Sequence, residues 1–117
     1  MHEYSLVRAL LRQVYQVAGE HRGSHVVSVR VRIGEFSGVE PDLLSSAYDD
    51  LVQETPLQDA ALYMVRVPLE GLCDQCGNQF RIERFNFQCD NCGSQELTLC
   101  GGEEMLLDSV MMEEIEQ

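Results

Sequence analysis

The sequence predicts an α+β fold in which two helices lie on a small mixed β-sheet, with a separate cysteine-rich module inserted into that fold. Apolar residues recur with helical and then strand periodicity over residues 1–69, and an apolar segment returns after residue 102. Between these regions, residues 71–102 contain all five cysteines and five of the nine glycines. We therefore predict a first domain formed by residues 1–69 and 103–117, and an inserted module at residues 70–102.

A helix and a strand begin the predicted first domain. Residues 3–19 have the i, i+3, i+4 spacing of an amphipathic helix. Its apolar positions are Leu6, Val7, Leu10, Leu11, Val14, Val17 and Ala18. Residues 26–33 alternate β-branched and polar side chains, as a half-buried strand does. The inner face of this strand is predicted to hold Val27, Val29, Val31 and Ile33.

A second helix and two further strands complete that domain. Pro41 suits the first helical position and leaves Glu40 as the N-cap. The apolar stripe of this helix is predicted to be Leu43, Leu44, Ala47, Tyr48, Leu51 and Val52. Strands are predicted at residues 61–69 and 105–112, and we expect the last one to return to the sheet of the first domain. The alternative is a last strand that packs on the cysteine-rich module.

Two CxxC motifs form the strongest chemical signal. Cys73 and Cys76 form the first pair, Cys89 and Cys92 the second, and twelve residues separate the pairs. Each pair is followed by a glycine, which tolerates the positive φ that such a turn requires. Two facing pairs form a tetrahedral four-sulfur site that suits zinc, and this site has no open position, so the ion should be structural. A hairpin over residues 80–87 would complete a zinc-ribbon-like module.

Other interpretations of the cysteines exist. Two redox-active CxxC pairs or a four-thiolate iron centre would use the same four residues. Cys100 lies outside both pairs, and we expect it to be a small buried apolar residue rather than a ligand.

The charge balance argues against two classes of partner. With 20 acidic and 8 basic residues, the formal net charge is -12, whereas nucleic acid and anionic membranes both require a basic face. The sequence shows neither a secretory leader nor an apolar run of about 20 residues that would span a bilayer. We therefore expect a cytoplasmic protein with reduced cysteines. Lacking nucleophile-elbow and phosphate-loop motifs, it is not expected to be an enzyme.

The segment Met1-His2-Glu3 forms a second candidate metal site. The amine of Met1, the backbone nitrogen of His2 and its imidazole can chelate one ion through adjacent rings. Ligation of this square-planar type selects Ni(II) or Cu(II) over zinc. Taken alone, a histidine at position 2 more often belongs to a frayed chain end.

Several segments together resemble the HypA/HybF family of hydrogenase nickel-incorporation proteins. Residues 1–6, Met-His-Glu-Tyr-Ser-Leu, resemble the family's MHE-[LY]-S start, and residues 33–38 are similar to its IGE-x-SG segment. The paired CxxC motifs match its zinc module, and residues 102–105 resemble its approach to the last strand. The resemblance covers essentially the whole chain.

The resemblance implies a nickel metallochaperone for [NiFe]-hydrogenase maturation, and in some members also for urease. Ni(II) would be the transferred metal and Zn(II) the structural one. Implied partners are the GTPase HypB, the hydrogenase large subunit precursor and, in members that serve urease, its accessory proteins. Carried over to this chain, the nickel ligands would be Met1, His2 and Glu3. Glu40 stands where family members often have another acidic residue, commonly Asp, which is a ligand or a neighbour of the ligands.

One alternative remains beside this hypothesis. The chain could be a zinc-ribbon adaptor that docks a protein partner without transferring nickel. His21 and His25 follow the first helix, where each is expected to be a solvated surface residue or a secondary metal contact.

Overall fold

A computed structural model describes residues 2–114 and consists of two helices and two three-stranded sheets. The elements in chain order are α1 (His2–Gly19), β1 (Ser24–Gly34), α2 (Pro41–Leu51), β2 (Ala61–Val67), β3 (Glu70–Cys73), β4 (Gln79–Arg81), β5 (Leu97–Gly101) and β6 (Met105–Glu114). This arrangement confirms the predicted α+β fold class.

The first sheet has the order β2-β1-β6 and is mixed. Strand β1 pairs in parallel with β2 and antiparallel with β6. The last strand therefore returns to the sheet of the first half of the chain, as expected. Helix α1 buries Val7, Leu10, Leu11 and Val14 in the core of this sheet, because these residues share one face of the helix.

The predicted alternation along β1 is wrong at its start. Val26 is buried, whereas Val27 is only half-buried. A register shift in the β1–β6 pairing causes this difference, since Val26 pairs with Met112 and Ser28 with Met111. Val27 is thus the extra residue of a β-bulge, and a bulge exchanges the two faces of a strand at that point.

Helix α2 begins at Pro41 as predicted, with Glu40 as an N-cap whose side chain makes no capping hydrogen bond. The predicted apolar stripe is wrong at Leu43, which is exposed, while Leu44, Ala47 and Tyr48 are buried. Leu44, Ala47 and Tyr48 have the i, i+3, i+4 spacing of one helix face, and Leu43 lies outside that face.

The second sheet has the order β4-β3-β5, and both neighbours pair antiparallel with β3. The predicted hairpin over residues 80–87 is wrong, because β4 pairs back onto β3 through the first CxxC turn. The predicted strand 61–69 is too long, since β2 ends at Val67, before Pro68. Leu69 is instead buried in the second core with Phe80 and Ile82.

The two sheets meet at a close backbone contact. A Cβ atom added to Gly34 would lie 2.3 Å from the carbonyl oxygen of Gly102. The N–H of Phe36 donates to that same oxygen at 2.7 Å, and the N–H of Glu35 donates to the oxygen of Val67 at 2.8 Å. The end of β1 therefore lies directly against both connections to the second sheet.

Within residues 2–114, neither helix combines the length and the apolar character that a membrane span requires.

Candidate metal centres

The four cysteines lie in two turns of the same design. The first knuckle (residues 73–77) connects β3 to β4, and the second knuckle (residues 89–93) precedes β5. In each, the N–H of the glycine donates to the carbonyl of the first cysteine at 3.0 Å. Gly77 has φ 76° and Gly93 has φ 78°, which confirms the positive φ expected after each pair.

The four sulfur atoms converge on one point. All of them lie within 4.8 Å of one another, and the Sγ–Sγ distances of Cys73–Cys92 and Cys76–Cys89 are 3.6 Å. A zinc–sulfur distance of about 2.3 Å in a tetrahedron places the sulfurs about 3.8 Å apart. A disulfide requires about 2.05 Å, and all four cysteines are free. The cluster thus fits a single four-coordinate ion.

Backbone N–H groups lower the pKa of the first thiol of each knuckle. The N–H of Cys76 lies 3.5 Å from the sulfur of Cys73, and the N–H groups of Asn91 and Cys92 each lie 3.4 Å from the sulfur of Cys89. The N–H of Cys76 lowers the pKa of Cys73, and the N–H of Cys92 lowers the pKa of Cys89 to about 6, although burial opposes both shifts. A thiol that is already ionised favours cation binding, because no proton has to be displaced first.

The second thiol of the second knuckle behaves differently. The N–H of Ser94 lowers the pKa of Cys92, but the thiols of Cys73, Cys76 and Cys89 together with burial outweigh it and raise that pKa to about 12. The metal-free cluster therefore ionises unevenly, and a bound cation would displace the remaining protons.

The expectation that Cys100 is buried is wrong. Its side chain is exposed, because it alternates along β5 with Leu97 and Leu99, which pack on the second core. Its thiol is not part of the four-sulfur cluster.

The N-terminal candidate site is described from its second residue onward, since Met1 lies outside the described residues. His2 and Glu3 are in the first turn of α1, and the Nε2 of His2 lies 3.5 Å from the Oε2 of Glu3. The His2 side chain is 60% exposed, whereas that of Glu3 is 8% exposed. Glu3 is the one charged residue that is buried within residues 2–114.

Glu40 does not form a three-ligand cluster with His2 and Glu3. Among residues 2–114, the cysteine cluster is the only group of three or more metal-ligating side chains whose donor atoms meet. The first turn of α1 contacts α2 through a hydrogen bond from Tyr4 to Asp50. Glu40 is the N-cap at the other end of α2. Its ligand role stays a prediction.

The other histidines lie at the far end of β1. His25 is exposed, and its Nε2 lies 4.0 Å from the Oε2 of Glu113 on β6. His21 is exposed in the preceding turn. Neither belongs to a cluster of three ligands in the described part of the chain.

The comparison with protein families decides the assignment. Residues 1–112 match the family described as "Hydrogenase/urease nickel incorporation, metallochaperone, hypA". The chain belongs to the HypA family. Members of this family act as nickel metallochaperones in hydrogenase maturation, so the family assignment favours this function over an adaptor that transfers no nickel.

HypA relatives cover nearly the whole chain. The hydrogenase maturation factor HypA of Nitrosospira multiformis is 39% identical over 110 residues, which are 94% of this chain and 96% of that protein. HypA of Aquifex aeolicus is 36% identical over 113 residues, 97% of this chain and 98% of that protein. The family membership therefore applies to both sheets and not to the cysteine module alone.

Solved structures share the fold. The solution structure of the Ni metallochaperone HypA from Helicobacter pylori aligns over 100% of both chains with a TM-score of 0.71 and 29% identity. A second solution structure of a HypA protein covers 96% of both chains with a TM-score of 0.75 and 31% identity.

Some residues beside the two candidate sites were not predicted from the sequence. The amide groups of Asn78 and Asn91 lie 3.8 Å and 3.6 Å from the sulfurs of Cys89 and Cys76. The available signal was their position, two residues after the first CxxC motif for Asn78 and within the second for Asn91. The hydrogen bond from Tyr4 to Asp50 joins residues that are 46 positions apart, and no local sequence pattern predicts such a contact.

Proposed function

We propose that this HypA-family chain binds Ni(II) at the N-terminal end of α1 and transfers it during [NiFe]-hydrogenase maturation. One observation supports this site above all others: the exposed imidazole of His2 lies beside the buried carboxylate of Glu3. A buried carboxylate is costly unless a cation or hydrogen-bond donors compensate it. A metal ion held by His2 would supply that compensation.

The helix start also supplies backbone donors. The first four N–H groups of a helix have no intrahelical acceptor, so the nitrogens of His2 and Glu3 are available to a metal. In a chain that begins with Met1, its amine and the amide and imidazole of His2 form adjacent chelate rings. The positive end of the helix dipole disfavours a cation, and ionised amides together with Glu3 offset that effect.

Transfer requires that an acceptor can reach the bound ion. The imidazole of His2 is mostly exposed, so an incoming ligand can approach the nickel ion from solvent. This site at the start of α1 differs from the cysteine cluster, where four sulfurs already complete a tetrahedron. We therefore assign nickel as the transferred metal, in contrast to the structural ion of the cysteine cluster.

The zinc site has a structural role in this proposal. Cys73, Cys76, Cys89 and Cys92 would hold Zn(II), which supplies a fixed cross-link between the two knuckles. We assign residues 1–69 and 103–117 to a nickel domain and residues 70–102 to a zinc module. The chain itself would be non-enzymatic and cytoplasmic. Its partners would be HypB and the large subunit precursor, with urease accessory proteins where urease is served.

Nickel titration of the zinc-loaded, untagged protein tests the proposal. We expect one Ni(II) per chain, lost in His2→Ala with zinc retained, because the substitution removes a chelating nitrogen. His21→Ala, an exposed histidine elsewhere, is the matched control and should bind nickel normally. Extending the chain before Met1 should also weaken binding, since the amine becomes an amide. Glu40→Gln would report whether Glu40 contributes.

Equal nickel binding by His2→Ala and the unmodified protein would place the site elsewhere. In that case the adaptor hypothesis would become the better explanation, and hydrogenase maturation should survive the substitution in cells.

A further inference from the structure

Two asparagine side chains contact cysteines across the space between the two knuckles. The Nδ2 of Asn78, which directly follows the first knuckle, lies 3.8 Å from the sulfur of Cys89 in the second. The Nδ2 of Asn91, inside the second knuckle, lies 3.6 Å from the sulfur of Cys76 in the first. Each carboxamide therefore donates to a thiol of the opposite knuckle.

The backbone of each asparagine is bonded to its own knuckle. The carbonyl of Asn78 accepts from the N–H of Cys73 at 2.8 Å. The N–H of Asn91 lies 3.4 Å from the sulfur of Cys89. The two asparagines thus link the knuckles in both directions, and we call the pair Asn78 and Asn91 the asparagine clasp.

A neighbouring carboxylate fixes the orientation of the Asn78 side chain. The Nδ2 of Asn78 also lies 2.6 Å from the Oδ1 of Asp90. A carboxamide nitrogen carries two hydrogens, so it can donate to Asp90 and to Cys89 at the same time. The flipped carboxamide would place its oxygen against a carboxylate and a thiolate, which both repel it. Asp90 therefore keeps the donor directed at the sulfur.

The sulfurs need such donors, because part of the cluster is withdrawn from water. Cys73 is 1% exposed and Cys89 is 4% exposed. Burying a charged group is costly unless hydrogen bonds replace its water. Four thiolates around one divalent cation carry excess negative charge, in a chain whose net charge is already -12. Among residues 2–114, the two carboxamides of the clasp are the only side chains that donate an N–H to these sulfurs.

The clasp is not a general property of a CxxC turn. Gln75 has the same position in the first knuckle that Asn91 has in the second, since the motifs read Cys-Asp-Gln-Cys and Cys-Asp-Asn-Cys. The Nε2 of Gln75 donates to the Oε2 of Glu96 and not to a sulfur. The contact of Asn91 with Cys76 therefore depends on the residue chosen at this position.

We propose that Asn78 and Asn91 are positioning residues that slow the loss of the metal ion from the cysteine cluster. Neither residue would contact the ion. Their N–H groups would hold the ligand sulfurs in place and stabilise the negative charge on them. Hydrogen-bond partners of metal ligands typically contribute about 10- to 100-fold to metal affinity. The inference rests on the proposed function in one respect, namely that Zn(II) occupies the four sulfurs.

The rate of zinc release tests this role. The untagged, zinc-loaded protein is mixed with excess chromophoric chelator and compared with Asn78→Ala, Asn91→Ala and Asn78→Asp. We expect release to be about tenfold faster in Asn78→Ala. The increase should be smaller in Asn91→Ala, because Asn91 is exposed and water replaces its donor. Asn78→Asp should release zinc fastest, because a new carboxylate would face Asp90 and the thiolate of Cys89.

Cobalt substitution supplies a readout that a loss of stability alone would not change. Co(II) in a four-thiolate site has a sulfur-to-cobalt charge-transfer band. Removing an N–H donor raises the energy of the sulfur lone pairs. We therefore expect this band to move to longer wavelength in Asn78→Ala and Asn91→Ala.

Gln75→Ala is the matched control, because it removes a carboxamide from the same module that contacts no sulfur. Its release rate and cobalt band should equal those of the unmodified protein. Unchanged release and an unchanged band in both alanine variants of the clasp would overturn the proposal, as would equal changes in Gln75→Ala. Since Asn91 is exposed, Asn91→Ala removes no packing and decides the test even if Asn78→Ala does not fold.

Failure of this proposal is distinguishable from failure of the proposed function. If the unmodified protein retains no zinc, the structural zinc site and the clasp are refuted together. If it retains one zinc per chain and the variants release it at the same rate, only the clasp is refuted. Nickel titration of the same variants should be unchanged, because His2 lies outside this module.

Discussion

At the scale of single residues, the cysteine cluster depends on backbone groups as much as on its sulfurs. The N–H groups of the second knuckle hold the pKa of Cys89 at about 6, and the N–H of Cys76 lowers that of Cys73. Gly77 and Gly93 allow these turns, since both have positive φ. The metal-free protein therefore has at least one thiolate at neutral pH, before an ion arrives.

The pH dependence of zinc affinity should reflect this thiolate. Zinc requires four thiolates, so protons compete and affinity falls as pH falls. Because Cys89 is already ionised above about pH 6, its proton is absent between pH 7 and 8. Four ordinary thiols would give a slope of log affinity near four per pH unit, whereas we expect about three or less. Competition with a chelator at several pH values measures this slope, and Cys100→Ser is the control. A slope of four would contradict the lowered pKa of Cys89.

At the scale of elements, the first turn of α1 is held by α2. The hydroxyl of Tyr4 donates to Asp50 near the C-terminal end of α2. This hydrogen bond, followed by burial, raises the pKa of Tyr4, so the hydroxyl remains a donor at neutral pH. A helix terminus frays unless it is anchored, and here the anchor lies beside His2 and Glu3.

Removing either partner should loosen that first turn. We expect Tyr4→Phe and Asp50→Asn each to lower the urea midpoint by roughly 0.3 M. The double variant should lose less than the sum of the two, because Tyr4→Phe removes the hydrogen bond that Asp50→Asn only weakens. Tyr15→Phe and Asp49→Asn are controls on the same two helices and should have smaller effects. Strict additivity would show that the hydrogen bond contributes nothing.

At the scale of the whole molecule, the contact between the two sheets depends on backbone packing. Gly102 has φ 86°, and an added Cβ would lie 2.6 Å from the Cα of Leu69 and from the oxygen of Pro68. The two connections between the sheets therefore pass each other without room for a side chain. This close packing, together with the contacts of Glu35 and Phe36, orients the second sheet against the first.

Substitution at this junction should separate the sheets. We expect Gly102→Ala to lower the free energy of unfolding by about 2 kcal/mol, through overpacking and positive φ. Gly101→Ala is the control, because its Cβ would meet only Glu70 at 4.0 Å. It should change stability by about 0.5 kcal/mol or less. Urea unfolding measures the free energies of both variants. Small-angle scattering shows whether either variant departs from the Cα radius of gyration of 18.0 Å. Equal stabilities would refute the close contact.

Local patterns predicted most of the elements because their signals lie within a few residues. The apolar spacing of α1, Pro41 at the start of α2 and the glycines after each CxxC pair all had the expected structure. Val27 and Leu43 did not, since a bulge depends on the pairing with β6 and the orientation of α2 depends on the core beneath it. The ligand assignments of Met1, His2, Glu3 and Glu40 stay predictions.

The sequence by itself determined the fold class, the family and the two cysteine turns, because helix periodicity, strand alternation and CxxC spacing are short-range properties. Tertiary structure alone decided which cysteine sulfurs meet at 3.6 Å and that β4 pairs with β3. It also decided that Phe36 meets Phe85 and Phe87, and that Tyr4 reaches Asp50. These contacts join distant parts of the chain, so their geometry follows from how the sheets and helices pack and not from any local pattern.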